Sequence, residues 1–294
     1  MLMRRVSPLD PANFPAFEPG WVWLCGAGPG DPGLLTLHAA DALRQADVLI
    51  YDALVAPEIL DWARPEARRI YAGKRGGKPS ANQADITARL IAEAKAGHRV
   101  LRLKGGDPLV FGRGGEEMLK MRAAEVPFRV IPGVSSGLGG LAYAGLPLTH
   151  RDVNVAVTLL TGHAASGALP EDIDWPALAK GAPVLVAYMA MKHLGALRDR
   201  LMDAGRAPNE PVALIENATL PAQRVIETEL QRCVEVAAEA RVKPPALVVI
   251  GPIVSLRRLL DWWDPVRFAW RNERQSGTSH QSSLNLARLE ILEI

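Results

Sequence analysis

Cysteine is scarce. The 294 residues hold two, Cys25 in a strand-like run and Cys233 in a helical one, which leaves no disulfide framework and no cysteine metal site. That usage points to a reducing cytoplasm. Long hydrophobic runs are lacking too, and none reaches membrane-spanning length. The first twenty residues carry Arg4, Arg5, Asp10 and four prolines but no apolar segment, so no signal peptide is expected. Net charge is only +2, which gives no global pull toward nucleic acid or an anionic membrane. His163 and His193 lack a partner at ligand spacing, and no metal is expected.

What is present is a soluble composition, 48% hydrophobic and 22% charged, at a length comfortable for two domains. Short β-rich runs alternate with helical patterns. The runs at 22–25, 48–51, 69–72, 100–103 and 128–131 predict parallel βαβ units. A helix is expected over 34–46. Another opens on a capping box at Ser80 and Gln83, with Ile86, Leu90 and Ala94 on one face and its end marked by Gly97. The pattern restarts with runs at 155–160, 184–188, 212–215, 224–226 and 246–250. The link 216–223 is too short for a crossover helix, which predicts a mixed second sheet. The fold class is α/β. The expected division is an extension at 1–20, an N-terminal α/β domain at 21–150, a C-terminal α/β domain at 153–263, and a polar tail at 264–294 expected to be disordered.

The loop Gly26-Ala27-Gly28-Pro29-Gly30-Asp31-Pro32 has the start of a dinucleotide fingerprint but places Asp31 where the third glycine belongs. Asp31 as N-cap with Pro32 behind it is a strong helix start. It would put a carboxylate on the site a pyrophosphate needs. Three further loops end predicted strands: Tyr51-Asp52, Lys104-Gly105-Gly106-Asp107-Pro108 and Pro132-Gly133-Val134-Ser135-Ser136-Gly137. Strand ends at one sheet edge are where open α/β sheets bind ligands.

Asp52 admits three readings: a turn aspartate, a ribose ligand, or a base at a pocket mouth. Arg64 to Lys78 holds six bases against Glu66 alone, which reads either as a solvated face or, at Lys74-Arg75-Gly76-Gly77, as an anion-binding loop. Gly133-Val134-Ser135-Ser136-Gly137 matches a nucleophile elbow, with His163 or His193 and Asp172 or Asp174 available to a serine hydrolase. Met189 and Met191 read as core, or as a thioether face for an adenosine.

Together these segments resemble the tetrapyrrole methylase family, most closely its S-adenosylmethionine-dependent uroporphyrinogen-III C-methyltransferases. The resemblance runs from about Val22 to Trp262 and includes Phe111-Gly112-Arg113-Gly114-Gly115-Glu116-Glu117, Pro147-Leu148-Thr149-His150-Arg151, Thr161-Gly162-His163, Tyr188-Met189 and Glu216-Asn217-Ala218-Thr219. It implies two α/β domains with S-adenosyl-L-methionine in the cleft between them, usually in a homodimer. Its cofactor positions fall on Pro29, Gly105, Gly106, Asp107, Val110, Ser135, Ser136, Met189 and Ala218. Its base falls on Asp52 and its proton donor on Lys74. This chain has Ser135-Ser136 where Thr-Ala or Thr-Ser is frequent, and Ala218 where Gly is also found.

The implied reaction methylates uroporphyrinogen III twice, giving precorrin-2 by way of precorrin-1 and releasing S-adenosyl-L-homocysteine, on the route to sirohaem or cobalamin. A phosphate-free, cationic cofactor suits a loop closed by Asp31 and a site furnished by Asp107. Lys74, an ordinary lysine, is better placed to pair a substrate carboxylate than to donate a proton. Arg75, Arg113 and Arg151 join it as candidates for the acids of an octacarboxylate, by charge and location. The chain lacks the dehydrogenase and ferrochelatase region of fused sirohaem synthases and is expected to stop at the methylated product. Rivals are a later precorrin methyltransferase, the serine hydrolase and a nucleotide-binding regulatory module.

Overall fold

Short β-branched runs separated by amphipathic helices bury both faces of a parallel sheet. The computed structural model describes residues 14–73, 83–163 and 167–264. Its first sheet comprises β1 (Val22–Gly26), β2 (Val48–Tyr51), β3 (Arg68–Tyr71), β4 (Val100–Lys104) and β5 (Phe128–Ile131), all parallel, in the order β3-β2-β4-β1-β5. Alternation along these strands splits the core in two. Trp23, Cys25, Leu49, Leu101 and Leu103 pack with Ala39, Ala42 and Leu43 of α1 (Leu37–Gln45) and Ile59 of α2 (Pro57–Leu60). Val22, Leu24, Val48, Ile50 and Val100 face Ile86, Leu90 and Ala94 of α3 (Gln83–Lys95) and Met121 of α4 (Gly114–Ala123).

The second sheet comprises β6 (Thr158–Thr161), β7 (Leu185–Tyr188), β8 (Pro211–Glu216), β9 (Arg224–Glu229) and β10 (Ala246–Ile250), in the order β6-β7-β10-β8-β9. β6 and β7 are parallel and the other pairs antiparallel, the mixed sheet that the short 216–223 link predicts. One face is covered by α6 (Trp175–Gly181), α7 (Leu194–Asp203) and α8 (Cys233–Glu239). The other face receives Leu141 of α5 (Ser136–Tyr143), together with Ala144 and Leu146 just beyond it, so a helix from the first half closes the core of the second. A last short helix, α9 (Arg257–Leu260), follows β10, and the described residues up to Trp263 form one compact body.

Two boundaries differ from expectation. Asp31 caps only a single 3-10 turn (Pro32–Leu34), its Oδ1 accepting the Gly33 N–H at 2.7 Å; α1 proper opens at Leu37 with Thr36 Oγ1 accepting from Ala39 N at 3.1 Å. β6 starts at Thr158 rather than Val155, because His150 and Asn154 exchange backbone hydrogen bonds of 3.1 and 2.9 Å in a closed turn that leaves Val155 85% exposed. Ser80 of the expected capping box lies outside the described residues, as does the tail beyond Asp264.

Candidate active site

The loops after β1, β4 and β5 meet backbone on backbone, and only glycine permits it. A Cβ on Gly26 would lie 2.5 Å from Gly133 Cα and 2.6 Å from the Gly106 carbonyl oxygen; one on Gly133 would lie 2.3 Å from that same oxygen. Gly28 N–H donates to Gly106 O at 3.2 Å and Gly106 N–H to Gly28 O at 2.6 Å. Asp107 completes the join, its Oδ2 accepting from Gly133 N at 3.0 Å and its Oδ1 from Leu109 N at 2.7 Å.

Asp52 stands partly buried at the end of β2. Its Oδ1 accepts the Leu54 N–H at 3.0 Å, and both carboxylate oxygens lie 3.3 Å from the Gly105 N–H. The aspartate thus closes its own turn and also holds the first glycine of the β4 loop. Gly105 packs against Leu54, whose Cβ would be 2.5 Å from a glycine-replacing Cβ.

Elements of the second sheet close the other side. Ser135 is buried, with Oγ 2.7 Å from the Tyr188 hydroxyl at the end of β7, and that hydroxyl also accepts the Gly137 N–H at 2.9 Å. Ser136 opens α5. Met189, next after Tyr188, is half exposed, and the Tyr188 ring meets Phe111 at 4.9 Å. Ala218, in the β8–β9 link, is buried against Gly140 of α5, and Pro29 lies against Gly139. Val110 packs into the apolar cluster beneath the second sheet. Phe111, Arg113, Met189, Asn217 and Thr219 all adopt positive φ, between 51° and 67°. Each such residue stores about 1–3 kcal/mol, and strained backbone of this kind clusters at functional sites.

Several sequence readings change here. The Asp31 carboxylate does not face an open ligand site: Oδ1 is taken by Gly33, Oδ2 accepts from Tyr143 Oη at 2.6 Å, and the Asp31 N–H donates to Thr219 Oγ1 at 3.0 Å. It ties the β1 loop to α5 and to the β8–β9 link. Ser135 Oγ is engaged by a tyrosine, and among the described residues no histidine bonds it; His193 Nε2 instead contacts Gly167 O at 2.8 Å. The hydrolase triad is not assembled. Arg64 and Arg69 pair with Asp47 and Asp61 at 2.5 and 3.2 Å, and Arg68 pairs with Glu93, which makes this part of the basic run a salt-bridged face. Arg113 grips Glu116 through two contacts of 2.8 and 2.7 Å, and Arg151 is exposed in the turn before β6. Lys74 and Arg75 lie outside the described residues.

Residue spacing gave no sign of the Tyr188 clasp, whose partners are 53 and 51 positions apart. It also passed over the buried charges of Arg102, Lys104 and Glu117. Two cations inside the otherwise apolar run Val100–Lys104 are the signal that would have found them.

The loop amides reveal what the site can take. The N–H groups of Gly28, Gly33, Gly105, Gly106, Gly133 and Gly137 all donate to protein acceptors. An anion nest needs such groups free. The rim therefore suits a ligand without phosphate.

The comparisons agree. Residues 22–233 match the Tetrapyrrole (Corrin/Porphyrin) Methylases. A uroporphyrinogen-III C-methyltransferase from Sinorhizobium sp. is 60% identical over 251 residues, covering 85% of this chain and 90% of that protein. Siroheme synthase 3 of Aeromonas hydrophila is 48% identical over 244 residues, 83% of this chain, which spans about half (51%) of that longer protein. The crystal structure of uroporphyrin-III C-methyl transferase from Thermus thermophilus, complexed with S-adenyl homocysteine, superposes with a TM-score of 0.69 at 39% identity over 80% of this chain and 99% of that one. Matched by the family model over residues 22–233 and 60% identical to a relative along 85% of its own length, the chain belongs to the tetrapyrrole methylase family.

Proposed function

We propose that this chain is an S-adenosyl-L-methionine-dependent C-methyltransferase that converts uroporphyrinogen III to precorrin-2 through precorrin-1. The observation that carries the reading is Asp52, held by the Gly105 N–H at the edge of a junction whose glycine amides at 28, 33, 105, 106, 133 and 137 already have protein acceptors. Those glycines form no phosphate nest, which suits a cofactor built of an adenosine and a sulfonium. The likeness to a methyltransferase structure complexed with S-adenyl homocysteine supports the same ligand class.

Pro29, Gly105, Gly106, Asp107, Val110, Ser135, Ser136, Met189 and Ala218 are the residues that would hold the cofactor. When bound, it supplies an electrophilic methyl group and leaves as S-adenosyl-L-homocysteine. Ser135 and Asp107 contribute by fixing backbone, since their side chains are bonded to Tyr188 and to the loop amides. Met189 offers an exposed thioether side chain to the ligand. Asp52 accepts the proton lost from the substrate as conjugation is restored after each methyl addition. Arg113, Arg151, Lys74 and Arg75 pair with substrate carboxylates, Arg113 by exchanging its solvent-exposed contact with Glu116. Positioning of the pyrrole carbon in a water-poor cleft supplies much of the rate.

The same reading divides the chain into domains at 21–150 and 153–263 and makes the protein a cytoplasmic homodimer. Among the described residues no helix is long and apolar enough to cross a membrane. Anaerobic incubation with S-adenosyl-L-methionine and freshly generated uroporphyrinogen III, followed by mass spectrometry, should show a gain of two methyl groups. Acceptance of a precorrin but not of uroporphyrinogen III would overturn the substrate. Light scattering should return twice the 31.7 kDa chain mass.

A further inference from the structure

On the strand next to the one that carries the proposed base lies a group of buried charges that the proposed reaction does not use. Arg102 and Lys104 sit two residues apart on β4 and so share the face packed against α3 and α4. Both are almost wholly buried, at 2% and 4% exposure. They converge on one acid, Glu117 of α4, which is fully buried. Its Oε1 is 3.2 Å from Arg102 Nε and 3.5 Å from Lys104 Nζ, and it also accepts from Gln83 Nε2 at 2.7 Å. Arg102 has further partners in the carbonyls of Ile50 and Leu103, at 3.3 and 3.2 Å.

Two cations against one anion leave a buried positive charge in surplus, and an uncompensated charge in such a place is costly. Lys104, with the longest contact, is the less satisfied of the two cations. The next acid along the sheet is Asp52. β2 and β4 are parallel and in register up to the pair Tyr51 and Leu103, so one further step sets Asp52 opposite Lys104. Ile50 and Arg102 are paired two steps earlier, which places Asp52 and Lys104 on that same face. The Asp52 carboxylate is also bonded to the N–H of Gly105, the residue directly after Lys104.

We propose that Lys104 is a positioning residue for the methyl-transfer reaction, its buried ammonium supplying the opposite charge against which the Asp52 carboxylate is held at the mouth of the site. This rests on the reading of Asp52 as the proton acceptor. Electrostatics support the pairing. Burial pushes the Lys104 ammonium below the usual lysine range and Arg102 adds to that push, while Glu117 and Asp52 oppose it. Glu116, on the exposed side of α4, also feels the Lys104 charge. The device resembles a counter-charge in an enzyme site more than a stability element, since a buried ion pair seldom stabilises a fold relative to apolar packing.

The test has two arms. In the first, lysine labelled with carbon-13 at Cε is titrated by NMR in the wild-type protein and in Asp52→Asn, with the Lys104 signal assigned from Lys104→Arg. Loss of the Asp52 charge should lower the pH at which Lys104 titrates, a several-fold rise in its acid dissociation constant. An unchanged titration overturns the pairing. This arm needs no substrate, so its result stands whether or not uroporphyrinogen III is the true acceptor.

In the second arm, Lys104→Met should lower kcat about tenfold or more. Affinity for S-adenosyl-L-homocysteine, measured by calorimetry, should stay within twofold, and Lys104→Arg should recover most of the rate. Equal loss of ligand binding and rate, or no rescue by arginine, would make Lys104 a merely structural residue and overturn the proposal.

Discussion

The hydroxyl of Tyr188 lies 2.7 Å from that of Ser135 and accepts the Gly137 N–H at 2.9 Å, so the end of β7 clasps the entry of α5. A Cβ at Gly137 would lie 2.0 Å from that hydroxyl. The glycine that makes Gly-x-Ser-x-Gly look like a nucleophile elbow is there to admit a tyrosine. Tyr188→Phe leaves a buried N–H and a buried hydroxyl without their partner, and urea denaturation should show a loss of about 1–3 kcal/mol. Gly137→Ala should cost more than Tyr188→Phe, since the methyl group must displace the ring. A Gly137→Ala protein as stable as wild type would show that the clasp does not form.

Tyr143 and Asp31 form the second clasp, and it has a pH signature. Burial, the hydrogen bond to Asp31 and the negative charge of Asp31 all raise the phenol's pKa well above the ordinary tyrosine range. The unfolded chain releases this proton near pH 10 while the folded one keeps it, so the stability the pair contributes is whole below about pH 10 and declines above it. Tyr143→Phe should lower stability at pH 7 and flatten the alkaline limb of a plot of Tm against pH. A parallel displacement of the whole curve would refute the linkage.

Glu93 carries the corresponding acid signature. Burial alone would raise its carboxyl, but hydrogen bonds and charge from Arg68 and Arg89 outweigh that and hold it below the usual range. His98 Nδ1 lies 3.1 Å from the same carboxylate. The stabilisation is present above about pH 4.3, the unfolded glutamate value, and is lost as pH falls through the lower folded value. Glu93→Gln should reduce stability at neutral pH by about 1 kcal/mol, given half-exposed arginine partners, and should make acid unfolding less steep. Unchanged acid unfolding in that variant would count against the assignment.

These clasps mark where sequence legibility stops. All ten strands of the described residues overlap the expected β-rich runs, because a buried parallel or mixed sheet imposes an apolar period that survives in the sequence. The strand-end glycines and aspartates were legible for the same reason: a strand's end fixes which loop meets which. Asp31 misled because the identical residue pair starts a 3-10 turn or an α-helix, and the choice rests on Thr219 and Tyr143, which are 188 and 112 residues away. Lys104 was hidden because a lysine at a strand end ordinarily points to water, and only the placement of Glu117 on α4 shows that it does not.

The glycine junction gives the largest expected structural effect. Gly26, Gly106 and Gly133 approach so closely that a methyl group on Gly26 or Gly133 would meet backbone at 2.3–2.6 Å, where no side-chain rotation can relieve it. Gly133→Ala should therefore open the loops after β1 and β5, with a loss of several kcal/mol or failure to fold. Gly106 has only ordinary contacts, the nearest being Ser135 Cα at 3.8 Å, but its φ is +68°. Gly106→Ala should cost only about 1–2 kcal/mol. Comparing urea midpoints of the two variants separates crowding from backbone strain, and equal midpoints would deny the junction its tightness.

Asp52 allows its structural and chemical parts to be separated by substitution. Its Oδ1 alone reaches both the Leu54 and the Gly105 N–H groups, at 3.0 and 3.3 Å. Asparagine keeps an oxygen in that place, so Asp52→Asn preserves the turn and the grip on Gly105 while removing the ability to accept a proton. Affinity for S-adenosyl-L-homocysteine should hardly change, and kcat should fall by about 10²–10⁴, the usual contribution of a general base. Alanine has no acceptor. Asp52→Ala should release Gly105 and weaken ligand binding as well as turnover, and calorimetry beside single-turnover methylation would show the two losses together. If Asp52→Asn turned over at a near-normal rate while Asp52→Ala lost binding, the aspartate would be a loop tie only, and the proton acceptor would have to be another group or water.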